Sequence, residues 1–340
     1  MRPLSELISD HVVPWEQLPW PLDIAAIFER QAPLVVEIGF GDGAFLEAMV
    51  RNDPDRNFLG VELAWDPMQW CFKRLDRLTT RNVRLIRADA AHVLERLLPA
   101  QSVSEFVVNH PDPWPKDRHH GRRLVQPRFL ELVSECLAPS GRITIATDHA
   151  DYADWIAERL ESQSRLVPEL SATRVAELPG RLVTRYQRKA REAGIGNHFF
   201  VWTNGHHPAR PRKPEEPGTM PNVTFRGPAD ASVLLRGFES QNRRELVDGV
   251  EIILNFVRAW QLPDEPRWMV ETVVKDGRFS QQIGLIVHAP EADRWTLRVG
   301  ALGHPRVTAG VKRAVWHLAR ILRGRWPALE VESTTVGPLD

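Results

Sequence analysis

The sequence predicts an α/β chain in which a doubly wound, mainly parallel sheet is followed by a second, smaller α+β domain. The first observation behind this prediction is the alternation, from residue 34 to residue 148, of short β-rich apolar runs with amphipathic stretches. The second is the spacing, which leaves room for a crossover helix between successive strands of a parallel sheet. The third is length, because 340 residues with 26% charged and 43% hydrophobic side chains suit a globular chain of two domains.

Five runs are predicted to be strands of the first sheet: LVVEIGF (34–40), NFLGVEL (57–63), VRLIRAD (83–89), SEFVVNH (104–110) and GRITIATD (141–148). One helix between them is predicted to begin with Asp66 as N-cap and Pro67 at the first helical position, and another to begin at Pro127. A helix over 151–160 is followed by a less regular region. A basic helical run (184–194) and a strand (197–204) complete the first domain.

The composition then changes, because residues 205–222 are so rich in proline and charge that they predict a linker. The predicted domains are therefore 1–204 and 223–340, with 205–222 between them. In the second domain the runs VTFRG, WMVETVV, IGLIVH and WTLRVG predict antiparallel strands. Two long amphipathic helices are predicted near 240–260 and 309–326.

Composition excludes several classes of protein. No apolar run approaches the roughly 20 residues of a bilayer helix, and the N-terminus has no signal-peptide pattern, so a cytoplasmic chain is expected. Cys71 and Cys136 alone offer neither a disulfide framework nor a metal-ligand pair. The 44 basic and 44 acidic residues cancel, so any affinity for nucleic acid must come from a local patch.

Acidic side chains end three consecutive predicted strands. Glu37 precedes a loop with Gly39, Gly41 and Gly43, Glu62 ends the second strand, and Asp89 ends the third. The glycine loop also fits a dinucleotide, but Glu37 would repel a pyrophosphate. S-adenosyl-L-methionine fits better, because it carries an ammonium group and a sulfonium for Glu37, a ribose for Glu62 and an adenine amine for Asp89. The alternative for each acid taken alone is an N-cap or a loop carboxylate.

The fourth strand runs into a proline-rich, basic loop over 109–123. Asp112 stands between two prolines and is predicted to be a pre-organised carboxylate facing the same cleft. Trp114 offers a surface on which a base could stack. The loop also carries four cations that suit the binding of phosphates: Lys116, Arg118, Arg122 and Arg123. The alternative interpretation of this basic run is a solvated surface turn.

Six segments carry a family resemblance: VEIGFGDGAFL, FLGVEL, RADA, HPDPWPKDRHHGRRLVQPRFLELV, IATDHADYADW and TRYQRKAREAG. In this order, over roughly residues 30–204, the chain resembles the bacterial tRNA (guanine-N7-)-methyltransferase family. The resemblance implies a Rossmann-like class I methyltransferase fold, S-adenosyl-L-methionine as cofactor and tRNA as partner. It also implies methyl transfer to N7 of guanosine 46 in the variable loop. The alternative is a methyltransferase acting on another RNA or on a small molecule.

The strand-end reasoning and the resemblance together give the candidate residues. Asp112 is expected to be catalytic. Cofactor binding is expected at Glu37, Gly39, Gly41, Gly43, Glu62, Asp89 and Asp112. Substrate binding is expected at Lys116, Asp148, Thr184, Arg185, Tyr186 and Gln187, and RNA binding at Arg118, His119, His120, Gly121, Arg122 and Arg123. The chain departs from the family pattern at His110 (commonly phenylalanine), Gly121 (lysine) and Gln187 (glutamate), and the last change leaves a hydrogen-bonding group without charge.

No metal is expected as a partner, because the histidines lack a second ligand pair at zinc-like spacing. They include His119, His120, His149, His198, His206 and His207. A membrane is not expected as a partner either. The chain is expected to be a monomer or a homodimer, with neither favoured. The second domain carries arginines at helical spacing together with Trp316 and Trp326. Two interpretations of these residues stay open: an accessory tRNA-binding surface, or core tryptophans with a solvated basic face.

Overall fold

The computed structural model describes residues 2–78, 80–205, 207, 211–212, 214–262, 265–300 and 305–339. The chain forms two compact units, one of residues 1–15 and 19–215 and one of residues 16–18 and 216–340. The predicted linker 205–222 spans this division, and five of its residues, His206 among them, lie outside the described residues.

The first unit contains a seven-stranded sheet with the order β3-β2-β1-β4-β5-β7-β6. Its strands are β1 Leu34–Ile38, β2 Asn57–Glu62, β3 Val83–Arg87, β4 Val103–Asn109, β5 Leu137–Thr147, β6 Leu166–Pro168 and β7 His198–Asn204. The first five strands pair in parallel, and β7 pairs antiparallel with both β5 and β6. The mainly parallel, doubly wound prediction is confirmed. All five predicted strands are present because buried parallel strands are written as near-continuous apolar runs.

Helices alternate with these strands along the chain. They are α1 Leu4–His11, α2 Ile24–Phe28, α3 Ala44–Asn52, α4 Trp65–Leu75, α5 Ala90–His92, α6 Pro127–Cys136, α7 Ala150–Glu161 and α8 Arg185–Glu192. The start at Pro127 is as predicted. Helix α4 begins one residue before Asp66, and its N-cap is Ala64, whose side chain makes no capping bond. The predicted capping role of Asp66 is therefore wrong, and its carboxylate lies in the first turn instead.

The second unit is a seven-stranded antiparallel sheet with the order β14-β8-β13-β12-β11-β10-β9. Its strands are β8 Asn222–Arg226, β9 Gln241–Val247, β10 Val250–Gln261, β11 Arg267–Asp276, β12 Phe279–Glu291, β13 Arg294–Val299 and β14 Glu330–Thr334, and α9 is Ala309–Arg325. The α+β prediction and the helix near 309–326 are confirmed. The helix predicted near 240–260 is wrong, because this stretch forms the β9–β10 hairpin.

The local sequence explains that hairpin. Asp248 and Gly249 both have left-handed backbone angles (φ +50° and +79°), as a tight hairpin turn requires. Beyond the turn, Ile252, Leu254 and Phe256 are fully buried at every second position, the period of a strand. Their side chains join the core that α9 covers with Val311, Ala314, Val315 and Leu318 among others.

No helix in the described part of the chain is long and apolar enough to cross a membrane. Both cysteines are buried and free, as expected of small core residues.

Candidate active site

The carboxyl ends of β1 and β4 form the switch point of the first sheet. Strand β1 has β2 on one side and β4 on the other, so the chain order reverses there and a crevice opens above the strand ends. The loop after β1 holds Gly39, Gly41 and Gly43, all with left-handed φ angles between +55° and +73°. A Cβ at Gly39 or Gly41 would meet open space, whereas one at Gly43 would lie 2.5 Å from the Cys71 sulfur. Two glycines thus leave room for a ligand, and the third permits packing against α4.

Glu37 lies at the base of this crevice. It is 1% exposed; its Oε1 accepts a hydrogen bond from the Asn109 side chain at 3.0 Å, and its buried Oε2 has no partner in the structure. Burial raises the pKa of Glu37 to about 8, and the hydrogen bond from Asn109 opposes that rise. A buried carboxylate oxygen with free acceptor capacity suits a cationic ligand group, such as the ammonium of S-adenosylmethionine.

Asn109 and Arg181, two residues that the sequence did not indicate, complete this arrangement. Arg181 donates a hydrogen bond to the Asn109 side-chain oxygen, and its guanidinium lies 4.8 Å from the centre of the Phe45 ring and 5.3 Å from that of Phe199. Burial lowers the pKa of Arg181 to about 10, while the Glu37 carboxylate favours its charged form. The chain Arg181–Asn109–Glu37 therefore joins the loop before α8 to the base of the crevice.

Glu62 and Asp89 end the neighbouring strands, and both side chains are held by backbone amides. Glu62 accepts hydrogen bonds from the amides of Gly41 (3.3 Å), Leu63 (2.8 Å) and Ala64 (3.1 Å). Asp89 is the N-cap of α5 and accepts from the amide of His92 at 3.1 Å. Asp89 therefore acts as a helix N-cap, which is the alternative role that the sequence left open for it. Asp89 also lines a cavity together with Glu62.

That cavity has a volume of about 380 Å³ and reaches the loop after β4. Gly39, Glu62, Asp89, Asp112 and Trp114 line it together. Asp112 is exposed, as a carboxylate that meets an incoming substrate must be. The structure therefore brings the four sequence-predicted acids Glu37, Glu62, Asp89 and Asp112 to positions at, or up to three residues beyond, the ends of four neighbouring strands, β1, β2, β3 and β4.

The basic run after Asp112 divides into exposed and buried side chains. Lys116 precedes the 3-10 turn Asp117–Arg122, which holds the predicted RNA contacts Arg118, His119, His120, Gly121 and Arg122. Arg118, Gly121 and Arg122 are exposed, whereas His119 and His120 are half-buried. Arg122 lies 5.1 Å from the centre of the Trp114 ring, so one face of the predicted stacking surface is already covered.

Arg123 does not share this exposed surface. It is 4% exposed, donates to the Pro113 carbonyl at 2.8 Å and lies 5.1 Å and 4.6 Å from the ring centres of Tyr152 and Trp155. This placement corrects the grouping of Arg123 with the phosphate-binding cations. Its side chain joins the Asp112 loop to α7, since a planar guanidinium stacks well on aromatic rings.

His110 connects the remaining predicted substrate residues. Its Nε2 lies 3.1 Å from the Thr184 hydroxyl, its Nδ1 lies 3.4 Å from an Asp148 carboxylate oxygen, and its ring contacts Tyr186. Burial lowers the pKa of His110, while the adjacent Asp148 opposes that shift. Thr184 is the N-cap of α8 and accepts from the Gln187 amide at 2.9 Å. Gln187 is buried, whereas Arg185 and Tyr186 are exposed.

Among the described residues, no group of three His, Cys, Asp or Glu side chains could hold a metal ion. The histidines have other partners instead. His149 accepts from the Tyr152 amide at 3.4 Å, and His120 packs on Trp155.

Comparisons with known proteins show which proteins this chain is similar to. A family model described as a putative methyltransferase matches residues 31–199. A tRNA (guanine-N(7)-)-methyltransferase from Halorhodospira halophila is 37% identical over 182 residues, which are 53% of this chain and 79% of that protein. A protein of the same description from Thermotoga maritima is 29% identical over 306 residues, which are 89% of this chain and 92% of that protein. The second alignment therefore extends into the second unit.

Among solved structures, the 16S rRNA methyltransferase KamB covers 53% of this chain and 91% of its own, with 17% identity and a TM-score of 0.40. The matched segment 31–199 contains the glycine loop, the four strand-end acids and α8. The family resemblance seen in the sequence is confirmed: the chain belongs to the tRNA (guanine-N(7)-)-methyltransferase family.

Proposed function

We propose that this protein transfers a methyl group from S-adenosyl-L-methionine to N7 of guanosine 46 in the variable loop of tRNA. The observation that carries the proposal is the convergence of Glu37, Glu62, Asp89 and Asp112 at one switch point, within a chain of this family. The cofactor is S-adenosyl-L-methionine, and a tRNA substrate would place the activity in the cytoplasm.

The cofactor fits the residues present, and it supplies an electrophilic methyl group when bound. Glu37 would hold its ammonium group through the unpartnered Oε2, with Glu62 on the ribose and Asp89 on the adenine amine. The left-handed Gly39 and Gly41 would let the backbone approach the ligand closely.

Guanine N7 carries an in-plane lone pair, so its methylation requires no base to remove a proton. The protein must align N7 with the donor and stabilise the positive charge that develops on the purine. We assign this role to Asp112, whose carboxylate would also accept hydrogen bonds from the guanine N1–H and N2 amine. Asp148, held by His110, would support the same donor edge, which adenine lacks.

Lys116, Arg185 and Tyr186 would contact the substrate, and the turn 118–122 would contact RNA phosphates through its exposed arginines Arg118 and Arg122. Thr184 and Gln187 are buried beneath the N-terminus of α8, so we assign them to holding that terminus over the crevice. Arg185 and Tyr186 face outward and are placed for direct contact.

For the second unit we propose an accessory tRNA-binding role through α9. The sequence of this helix contains five cationic lysine and arginine side chains and no acidic one. Part of this charge is committed, because Arg313 pairs with Glu245 at 2.7 Å and lies over the Trp316 ring. Arg320 also lies over this ring, 4.8 Å from its centre. Lys312 and Arg320 remain exposed and would contact phosphates.

The direct test is methylation of unmodified tRNA transcripts with labelled S-adenosylmethionine, followed by cleavage at N7-methylguanosine. A transcript with guanosine at position 46 should be labelled and cleaved there, whereas one with adenosine at that position should not. Labelling of both transcripts at another guanosine would contradict position 46. Labelling of another RNA or a small molecule in place of tRNA would favour the alternative substrate class.

A further inference from the structure

A second cavity opens above the glycine loop, on the side of α4 and α8. It has a volume of about 610 Å³ and shares Gly39 and Asn109 with the cavity beside Asp112. Glu37 lies at its inner end. Its outer rim contains Trp70 and Lys73 from α4, Arg77 just beyond α4, and Arg185 and Tyr186 from α8.

Helix α4 presents a basic and aromatic face toward this cavity. Its core-facing side chains are Met68, Cys71, Phe72 and Leu75. Trp70, Lys73 and Arg77 recur at steps of three and four residues on the other side, so they share one face. The packing of α4 thus needs neither the indole nor the two cations.

The two rim aromatics are exposed to an extent that packing does not explain. Trp70 is 52% exposed and Tyr186 is 60% exposed. Large aromatic side chains usually contribute most of their area to a core. An exposed aromatic pair on the rim of a concave surface is instead typical of a site on which bases stack.

The rim cations are available to a ligand. Arg74, adjacent to Lys73, is committed to Asp42 at 2.8 Å and to Glu47 at 3.3 Å. In the described part of the chain, Lys73, Arg77 and Arg185 form no ion pair. Three unpaired cations around one cavity favour an anionic ligand, and their combination with stacking surfaces favours single-stranded nucleic acid.

We propose that this groove binds the unpaired RNA strand beside the methylated guanosine, with phosphates on Lys73, Arg77 and Arg185 and a base stacked on Trp70 or Tyr186. The inference rests on the proposed function and extends it, because Trp70, Lys73 and Arg77 add a contact surface that is separate from the 118–122 turn and lines a different cavity. An unpaired strand is required, since a duplex would offer phosphates but no free base face.

The test uses the full chain and measures tRNA affinity by fluorescence anisotropy at several salt concentrations. Trp70→Ala should raise the Kd for tRNA about tenfold, whereas Trp70→Phe should keep most of the affinity. Replacement of Lys73 and Arg77 by alanine should reduce the slope of log K against log salt by about 1.4, the value for two single-strand phosphates. Arg81→Ala is the matched control, because Arg81 is exposed before β3 at the opposite end of the sheet.

Two further measurements separate the possible failures. S-adenosylmethionine affinity, measured by calorimetry, should be unchanged in every groove variant. A parallel loss of cofactor affinity would overturn the proposal, because it would assign the cations to the cofactor. The proposal would also be overturned if the variant without Lys73 and Arg77 had the same salt slope of tRNA binding as Arg81→Ala. If the wild-type chain methylates tRNA while the groove variants bind tRNA as tightly as the wild-type chain does, only this inference fails. If the wild-type chain methylates no tRNA, the proposed function fails first.

Discussion

Glu37 should make cofactor binding depend on pH, because its carboxyl group is protonated in the free protein and should be ionised beside an ammonium group. With its pKa raised to about 8 by burial, roughly 0.9 of the Glu37 side chains carry a proton at pH 7. Binding of S-adenosylmethionine at pH 7 should therefore release about 0.9 proton. Proton release is measured by titration calorimetry in buffers of different ionisation enthalpy.

The affinity should follow the same titration. The cost of ionising Glu37 falls by about 1.4 kcal/mol per pH unit below its pKa, so the Kd should fall about ninefold between pH 6 and pH 7. This window lies below the usual pKa of an α-amino group, so the ligand stays cationic throughout. The sign follows from the raised pKa, since the protonated form dominates at low pH and a rise in pH favours the form that binds.

The control is Glu37→Gln, which keeps the shape and the acceptor for Asn109 but cannot release a proton. It retains His110 and the other acids of the crevice, so any pH dependence left in this variant belongs to them. Two results would contradict this role of Glu37: a wild-type protein that releases no proton at pH 7, or the same ninefold change in Kd in Glu37→Gln.

Three other changes should separate catalysis, packing and RNA contact. Asp112→Asn should lower kcat by about 10²–10³ while cofactor affinity stays nearly intact, measured by single-turnover methylation and calorimetry. Gly43→Ala should lower the free energy of unfolding by about 2–4 kcal/mol, because the new Cβ would lie 2.5 Å from the Cys71 sulfur at a left-handed φ of +73°. Arg123→Ala should lower it by about 1–3 kcal/mol through lost stacking and the lost bond to Pro113, with the salt slope of tRNA binding unchanged.

The changes at Gly43 and Arg123 each have a matched comparison. Gly121→Ala introduces a Cβ that meets open space, so denaturant unfolding should show no loss of stability. Arg122→Ala should reduce the salt slope without a large loss of stability, the reverse of Arg123→Ala. Loss of cofactor binding together with turnover in Asp112→Asn would contradict the catalytic assignment.

The sequence predicted those parts of the fold that depend on local pattern. The five buried strands and their terminal acids were recognisable because a strand buried on both faces is a continuous apolar run, and its end is marked by a change to glycine or charge. The β9–β10 hairpin was missed because a helical period was assigned to residues with a period of two. The Asp248-Gly249 pair and the alternating burial of Ile252, Leu254 and Phe256 were the available signals.

The site residues that the sequence missed depend on contacts between distant segments. Arg181 meets Asn109 across 72 positions, and it lies in a stretch without periodicity, so no local pattern indicates it. Arg122 and Arg123 are adjacent in the same basic run, but one side chain is exposed and the other is buried against Tyr152 and Trp155. The path of the 3-10 turn determines which of these two arginine side chains packs against α7.

Methylation at guanosine 46 is tested by two tRNA transcripts that differ only at position 46, incubated with the purified chain and labelled S-adenosylmethionine. We expect label in the guanosine transcript alone, with cleavage mapped to that nucleotide. Absence of label in both, from a protein that binds S-adenosylmethionine with the expected release of a proton, would contradict the substrate assignment while leaving the cofactor site intact.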